Sequence, residues 1–119
     1  MKETRLRTAL DASTEMILIT DARGLIEYAN PALCRFSGYP PEALQGRSPS
    51  LLDSPETDQA LIAEMNRQLA SGHPWAGRLR QRRRDGSEYW AEINVTPILG
   101  PGGEINGYVQ IQRDISKRI

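Results

Sequence analysis

The chain has 119 residues and fifteen Lys+Arg against fifteen Asp+Glu, so its formal net charge is zero. That length suits one domain with one hydrophobic core, and the balance excludes a chain-wide bias toward nucleic acid or an anionic membrane surface. Cys34 is the only cysteine, which excludes an intrachain disulfide and leaves no Cys/His spacing for a zinc site.

The opening MKETRLRTAL lacks the apolar core of a signal peptide, and no run approaches the ~20 apolar residues of a membrane span. A reducing, cytoplasmic setting is expected, although a longer parent protein could still cross a membrane. Residues 3–15 place Leu6, Ala9, Leu10 and Ser13 at helical spacing among charges, as a short amphipathic helix does. MILIT (16–20) and LIEYA (25–29), separated by DARG with Gly24 at the turn, predict a hairpin whose first strand is buried on both faces.

Asn30-Pro31 is a helix start, since Asn caps free N–H groups and Pro suits the first helical position; Gly38 ends that helix. PEALQ (41–45) is a second short helix closed by Gly46, and RSPSLLDSP is too rich in Pro and Ser for a long element. Ser54-Pro55 repeats the cap signal, and Leu61, Met65 and Leu69 line one face of a longer helix running to about Ser71. Gly72 and Pro74 stop it. From Trp75 the period becomes two, predicting strands 75–83, 87–98 and 104–114, and Asp114-Ile-Ser then caps a further helix. The order implies an α+β domain with one sheet.

RLRQRRRDGSEYW (78–90) holds five arginines within 78–84 and tests the nucleic-acid reading locally. A three-residue loop of Arg84, Asp85 and Gly86, with glycine left-handed, pairs Arg83 with Ser87. Arg82 then faces Glu88, Arg80 faces Trp90 and Arg78 faces Glu92, on one face; Leu79–Ala91 and Gln81–Tyr89 share the other with Ile93 and Val95. A two-residue turn would mix the faces. The arginines therefore describe a paired, solvated sheet face, and a nucleic-acid or membrane contact is not expected.

Three stretches, ITDARGLIEYANPALCRFSGYPPEALQGR, HPWAGRLRQRRRDGSEYWAEINVTPI and GYVQIQRDIS, together resemble the PAS domains of signalling proteins over roughly residues 8–116. The resemblance implies a PAS fold: a five-stranded antiparallel sheet of order 2-1-5-4-3, with short helices and one longer helix enclosing a pocket on one face. It places Trp75, Gln81, Tyr89, Gln110 and Gln112, with Phe36, Leu61 and Met65, at that pocket. The residues leave open whether Gln81, Gln112 and Tyr89 hold a ligand or each other, and whether Trp75 touches a cofactor or packs at the sheet edge. Val109 and Ile111 face outward and need a cover, either the helix carrying Leu6 and Leu10 or a second subunit.

Cofactors divide by residue. Photoactive flavin members carry a cysteine where GRSPSLL has Pro49, and Cys34 is no substitute; Gln81 and Gln112 match flavin-contacting positions. The PWAGRLRQRRRDG run is similar to that of sensors holding FAD non-covalently, so FAD or FMN, another small metabolite, or no ligand remain open. Haem is not expected, because the sole histidine, His73, lies past the long helix. Neither a Ser-His-Asp or Cys-His set nor a phosphate loop supports catalysis, and no metal is expected.

The expectation is a sensory or dimerisation module: a flanking helix at 1–15, a PAS domain at 16–116 and the start of a signalling helix or linker at 117–119. It would act as a homodimer, relaying through Leu6, Leu10, Val109, Ile111 and Asp114 to an output domain of the same parent chain. A histidine kinase or cyclic-dinucleotide enzyme such as a diguanylate cyclase is the expected bacterial-type parent. The competing expectation is a structural dimerisation domain with a side-chain-filled pocket.

Overall fold

The computed structural model describes residues 2–118, and their side chains over 4–117. Met1 and Ile119, the outer ends of the expected flanking segments, lie outside the described residues. Along the chain run α1 (Lys2–Ala12), β1 (Met16–Asp21), β2 (Ile26–Ala29), α2 (Pro31–Ser37), α3 (Pro41–Leu44), a 3-10 turn (Pro49–Leu52), α4 (Gln59–Ala70), β3 (Trp75–Arg82), β4 (Glu88–Leu99), β5 (Ile105–Asp114) and a closing 3-10 turn (Ser116–Arg118).

The strands form one antiparallel sheet of order β2-β1-β5-β4-β3, as the resemblance implied. Its inner face meets α2, α3 and α4. One core group gathers Met16, Leu18, Ile26, Leu33, Leu44 and Leu52 under the short helices. A second gathers Leu69, Trp75, Leu79, Tyr89, Ala91, Ile93 and Val95 under α4.

Asn30 organises the junction before α2. Its fully buried side chain accepts from Ile17 N at 2.9 Å and Leu33 N at 3.1 Å, and donates to Glu15 O at 2.8 Å and Leu10 O at 3.2 Å. It is thus more than the helix cap its position suggested. Gly38, at φ 83°, closes α2 in the left-handed region that a β-carbon disfavours.

The arginine hairpin has the expected register, from Arg78 opposite Glu92 to Arg82 opposite Glu88, and Arg83 N donates to Ser87 O at 2.8 Å. The ion pair is diagonal, however: Arg80 Nε meets Glu88 at 2.8 Å, and its guanidinium lies 5.9 Å from the Trp90 ring. Diagonal neighbours across an antiparallel pair are within reach of long side chains. Among the described residues Arg78 and Arg82 form no ion pair.

Two further expectations need correction. The long helix starts at Gln59, with Asp58 accepting from Ala60 N and Leu61 N, and not at Ser54-Pro55. Ser54 instead bonds the sheet: its N–H donates to Arg80 O at 3.1 Å and its hydroxyl to Glu88 at 2.8 Å. Those partners are remote in sequence, so the local cap signal lost to them. The flanking helix ends at Ala12 and leans on α2 and β2, with Tyr28 donating to Asp11 at 2.5 Å and Arg7 lying 4.5 Å from the Tyr28 ring. Leu6 is left 64% exposed, while Leu10, Val109 and Ile111 are half-buried. Asp114 accepts from Ser116 N at 3.0 Å and caps the short closing turn.

Candidate functional site

Between the sheet and α4 lies a cavity of about 250 Å³, walled by Leu18, Leu79, Ile93, Val95, Met65 and Leu69. Gln81, Gln110, Asp53 and Thr20 add polar surface to its lining. Exposed lining residues Arg23, Ser48, Ser50 and Asn66 mark its mouth. Strand alternation explains the inner wall, since the buried positions of β3 and β4 recur every second residue.

A hydrogen-bonded chain crosses three strands beside this cavity. Gln110 Nε2 donates to Gln112 Oε1 at 3.4 Å, Gln112 Nε2 to the Tyr89 hydroxyl at 3.0 Å, and that hydroxyl to Gln81 Oε1 at 3.2 Å. Gln81 Nε2 then donates to Asp53 Oδ1 at 3.1 Å. Every link donates in the same direction, and the Asp53 carboxylate is its terminus. Such a chain resolves the cost of burying amides, which would otherwise lose their water partners.

The titrating groups of the chain are both shifted by burial. Desolvation pushes the Asp53 carboxyl up to about 6, against the hydrogen bond from Gln81, which lowers it. Desolvation likewise pushes the Tyr89 hydroxyl up to about 12, against the hydrogen bond from Gln112. Tyr89 is thus a hydroxyl at any neutral pH, whereas Asp53 titrates near it.

The residues expected at the pocket separate into two sets. Gln81, Gln110 and Met65 line the cavity; Trp75, Tyr89, Gln112, Phe36 and Leu61 do not. Tyr89 and Gln112 support it from behind through the chain. Trp75 is buried in the second core group with its ring folded over Gly77, where a β-carbon would come 2.5 Å from ring atom Cζ2. Phe36 meets Tyr89 edge to face at 4.7 Å. Leu61 packs, half-buried, against the second core group.

Two residues, one in the cavity lining and one packed behind it, escaped sequence reasoning. Asp53 sits in the loop dismissed as Pro- and Ser-rich, and its backbone bridge and side-chain bond to Gln81 bring it inward. Arg83 follows the inward alternation of Leu79 and Gln81, a signal that was present. Its guanidinium lies 4.2 Å from the Phe36 ring and 4.9 Å from the Tyr89 ring.

An isoalloxazine ring fits the donor set in kind, with apolar walls and the amides of Gln81 and Gln110 in the lining. Pro49, in the cavity lining, carries no thiol for adduct formation. Cys34 lies elsewhere, and burial, with the Glu42 carboxylate, pushes its thiol up. His73 is exposed beyond α4 and is not part of the lining. Among the described residues there is no cluster of metal-ligating side chains, and no helix is long and apolar enough to cross a membrane.

The comparisons agree with this architecture. The "Nitrogen fixation regulatory protein" of Klebsiella oxytoca is 43% identical over 109 residues, spanning 92% of this chain and 22% of that protein. The "Aerotaxis receptor" of Escherichia coli (strain K12) is 33% identical over 109 residues, spanning 92% of this chain and 21% of that protein. The chain therefore spans about a fifth of the length of these relatives.

Among solved structures, the PAS domain of a protein from Colwellia psychrerythraea superposes with a TM-score of 0.88 at 27% identity, covering 99% of this chain and 100% of that one. An RNA-binding light-oxygen-voltage receptor superposes with a TM-score of 0.92 at 25% identity, covering 98% of this chain and 34% of that one. The family model described as PAS fold matches residues 4–115, and with the strand order and cavity above, the chain belongs to the PAS family.

Proposed function

We propose that the chain is a non-catalytic sensory module, taking a small ligand in the cavity between the sheet and α4 and relaying its occupancy to an output domain of a longer parent protein. The observation that carries this reading is the cavity itself: apolar walls, a mouth at the β1–β2 turn, and a polar chain leading from its lining into the sheet. The regulatory protein and the receptor among the relatives support a signalling role. Ligand binding shifts a conformational equilibrium only through differential affinity for its two states. A cytoplasmic homodimer is the assembly this reading favours, with residues 1–15 and 117–119 as connectors to the body at 16–116. The half-buried Val109 and Ile111 on the outer face of β5 are its candidate interface.

Non-covalent FAD or FMN is the second reading, favoured by the Gln81 amide in the cavity lining and by likeness to light-oxygen-voltage structures. When bound, a flavin supplies redox-dependent protonation at its ring, and this chain's part is to orient the ring edge with Gln81 and Gln110. An absorption spectrum and denaturing mass spectrometry of freshly purified protein test both readings. Flavin bands support the second, and another co-purifying small molecule supports the first alone. A colourless protein with no small molecule, and no thermal stabilisation by a metabolite library, overturns both in favour of a structural dimerisation domain.

A further inference from the structure

We propose that the cavity selects by hydrogen-bond sense and charge: it admits ligands that present an N–H donor, cationic or neutral, to Asp53 and Gln110, and it rejects those that place an anionic group there. The inference rests on the cavity being the ligand site, and it follows from what the polar chain leaves over.

The links run from Gln110 through Gln112, Tyr89 and Gln81 to Asp53, each donating forward. The single Tyr89 hydroxyl hydrogen is spent on Gln81. Gln112 Nε2 also contacts Met16 Sδ at 4.0 Å, so both its hydrogens have partners. Two acceptors remain. Among the described residues, nothing donates to Gln110 Oε1 or to Asp53 Oδ2.

No fully buried side-chain nitrogen or oxygen among the described residues lacks a partner. The two free oxygens therefore open onto accessible space, and both residues line the cavity. A ligand N–H placed on Asp53 makes a charge-assisted bond in a partly desolvated site. A ligand carboxylate or phosphate there meets like charge with little water to screen it.

The charged neighbour at the mouth does not reverse this sign. The Arg23 side chain is 80% exposed and lies 3.9 Å from Asp21, on the same turn. The second amide hydrogens of Gln81 and Gln110 have no protein acceptor, so a ligand acceptor beside the donor is tolerated.

Four probes of similar size separate the terms: benzamidine (cationic donor), benzamide (neutral donor), benzoate (anion) and toluene (apolar). Each is titrated at pH 7.5 into the full chain and into Asp53→Asn, following backbone amides of Leu79 and Ile93 and side-chain amides of Gln81 and Gln110 by NMR. Benzamidine is expected to bind at least about tenfold more tightly than benzoate, with benzamide between them. Asp53→Asn is expected to bring benzamidine and benzoate within about threefold, with the remaining spectrum unchanged.

Benzoate binding as tightly as benzamidine, or a preference that survives Asp53→Asn, overturns the proposal. If toluene shifts Leu79 and Ile93 while the charged probes are not discriminated, the donor rule falls and the ligand site stands. If none of the four perturbs any cavity residue, both fall together.

Discussion

Asp53 and Gln81 are joined twice: their backbones form an isolated antiparallel bridge, and Gln81 Nε2 donates to Asp53 Oδ1 at 3.1 Å. The double joint draws a loop carboxyl to the inner face of the sheet, where water solvates it poorly. Function and stability then oppose each other at one atom group.

Folded Asp53 holds its proton up to about 6, against the ordinary 3.8 expected in the unfolded chain. The folded state binds the proton more tightly, so this stabilisation is complete below about pH 4 and is lost as pH rises through 6. Allowing for solvent screening at a partly exposed group, the loss is of order 1 kcal/mol. Urea unfolding at pH 4.5, 6.0 and 7.5 should show the decline in the parent chain. Asp53→Asn keeps the acceptor for Gln81, should flatten the profile, and should be the more stable protein at pH 7.5.

Tyr89→Phe removes the hydroxyl between Gln81 Oε1 and Gln112 Nε2 and leaves two buried amides each one partner short. The expected cost is about 1–3 kcal/mol, because unsatisfied buried groups carry the full desolvation penalty. Chemical denaturation measures it. A cost near zero would mean that the amides re-pair with each other.

Adjacent arginines should behave differently. Arg83 covers Phe36 and Tyr89 and donates to Ser87 Oγ at 3.0 Å, so Arg83→Ala is expected to cost about 1–2 kcal/mol. Arg82 points outward and is exposed, and Arg82→Ala should stay within about 0.5 kcal/mol. Equal losses would mean that the basic run acts as a collective charge.

Light scattering of Ile111→Glu and Leu6→Glu tests the outer face and the flanking helix as dimer surfaces. A charge set into an apolar interface without a partner is strongly disfavoured. Either variant should lower the molar mass toward that of one chain, and a mass unchanged from the parent in both removes these surfaces from the assembly.

The sheet was legible because its information is local and repeated. One loop of three residues fixes the register of β3 and β4, and each further pair confirms it. What escaped depends on distant partners. Ser54-Pro55 has the signature of a helix start, but its hydroxyl and N–H are taken by Glu88 and Arg80, and the start moves to Asp58. Alternation correctly turned Gln112 inward; no periodic pattern could tell that its amide would be occupied by Tyr89 and Met16 rather than exposed to the cavity.

Asn30 gives the junction of α1, β1 and α2 a mechanical meaning. Aspartate, its nearest isostere, would still accept from Ile17 and Leu33 but has no hydrogens for Leu10 and Glu15. Leucine would satisfy none of the four. One planar amide therefore rivets Leu10 and Glu15 to the start of α2. α1, β1 and α2 thus meet at one buried side chain.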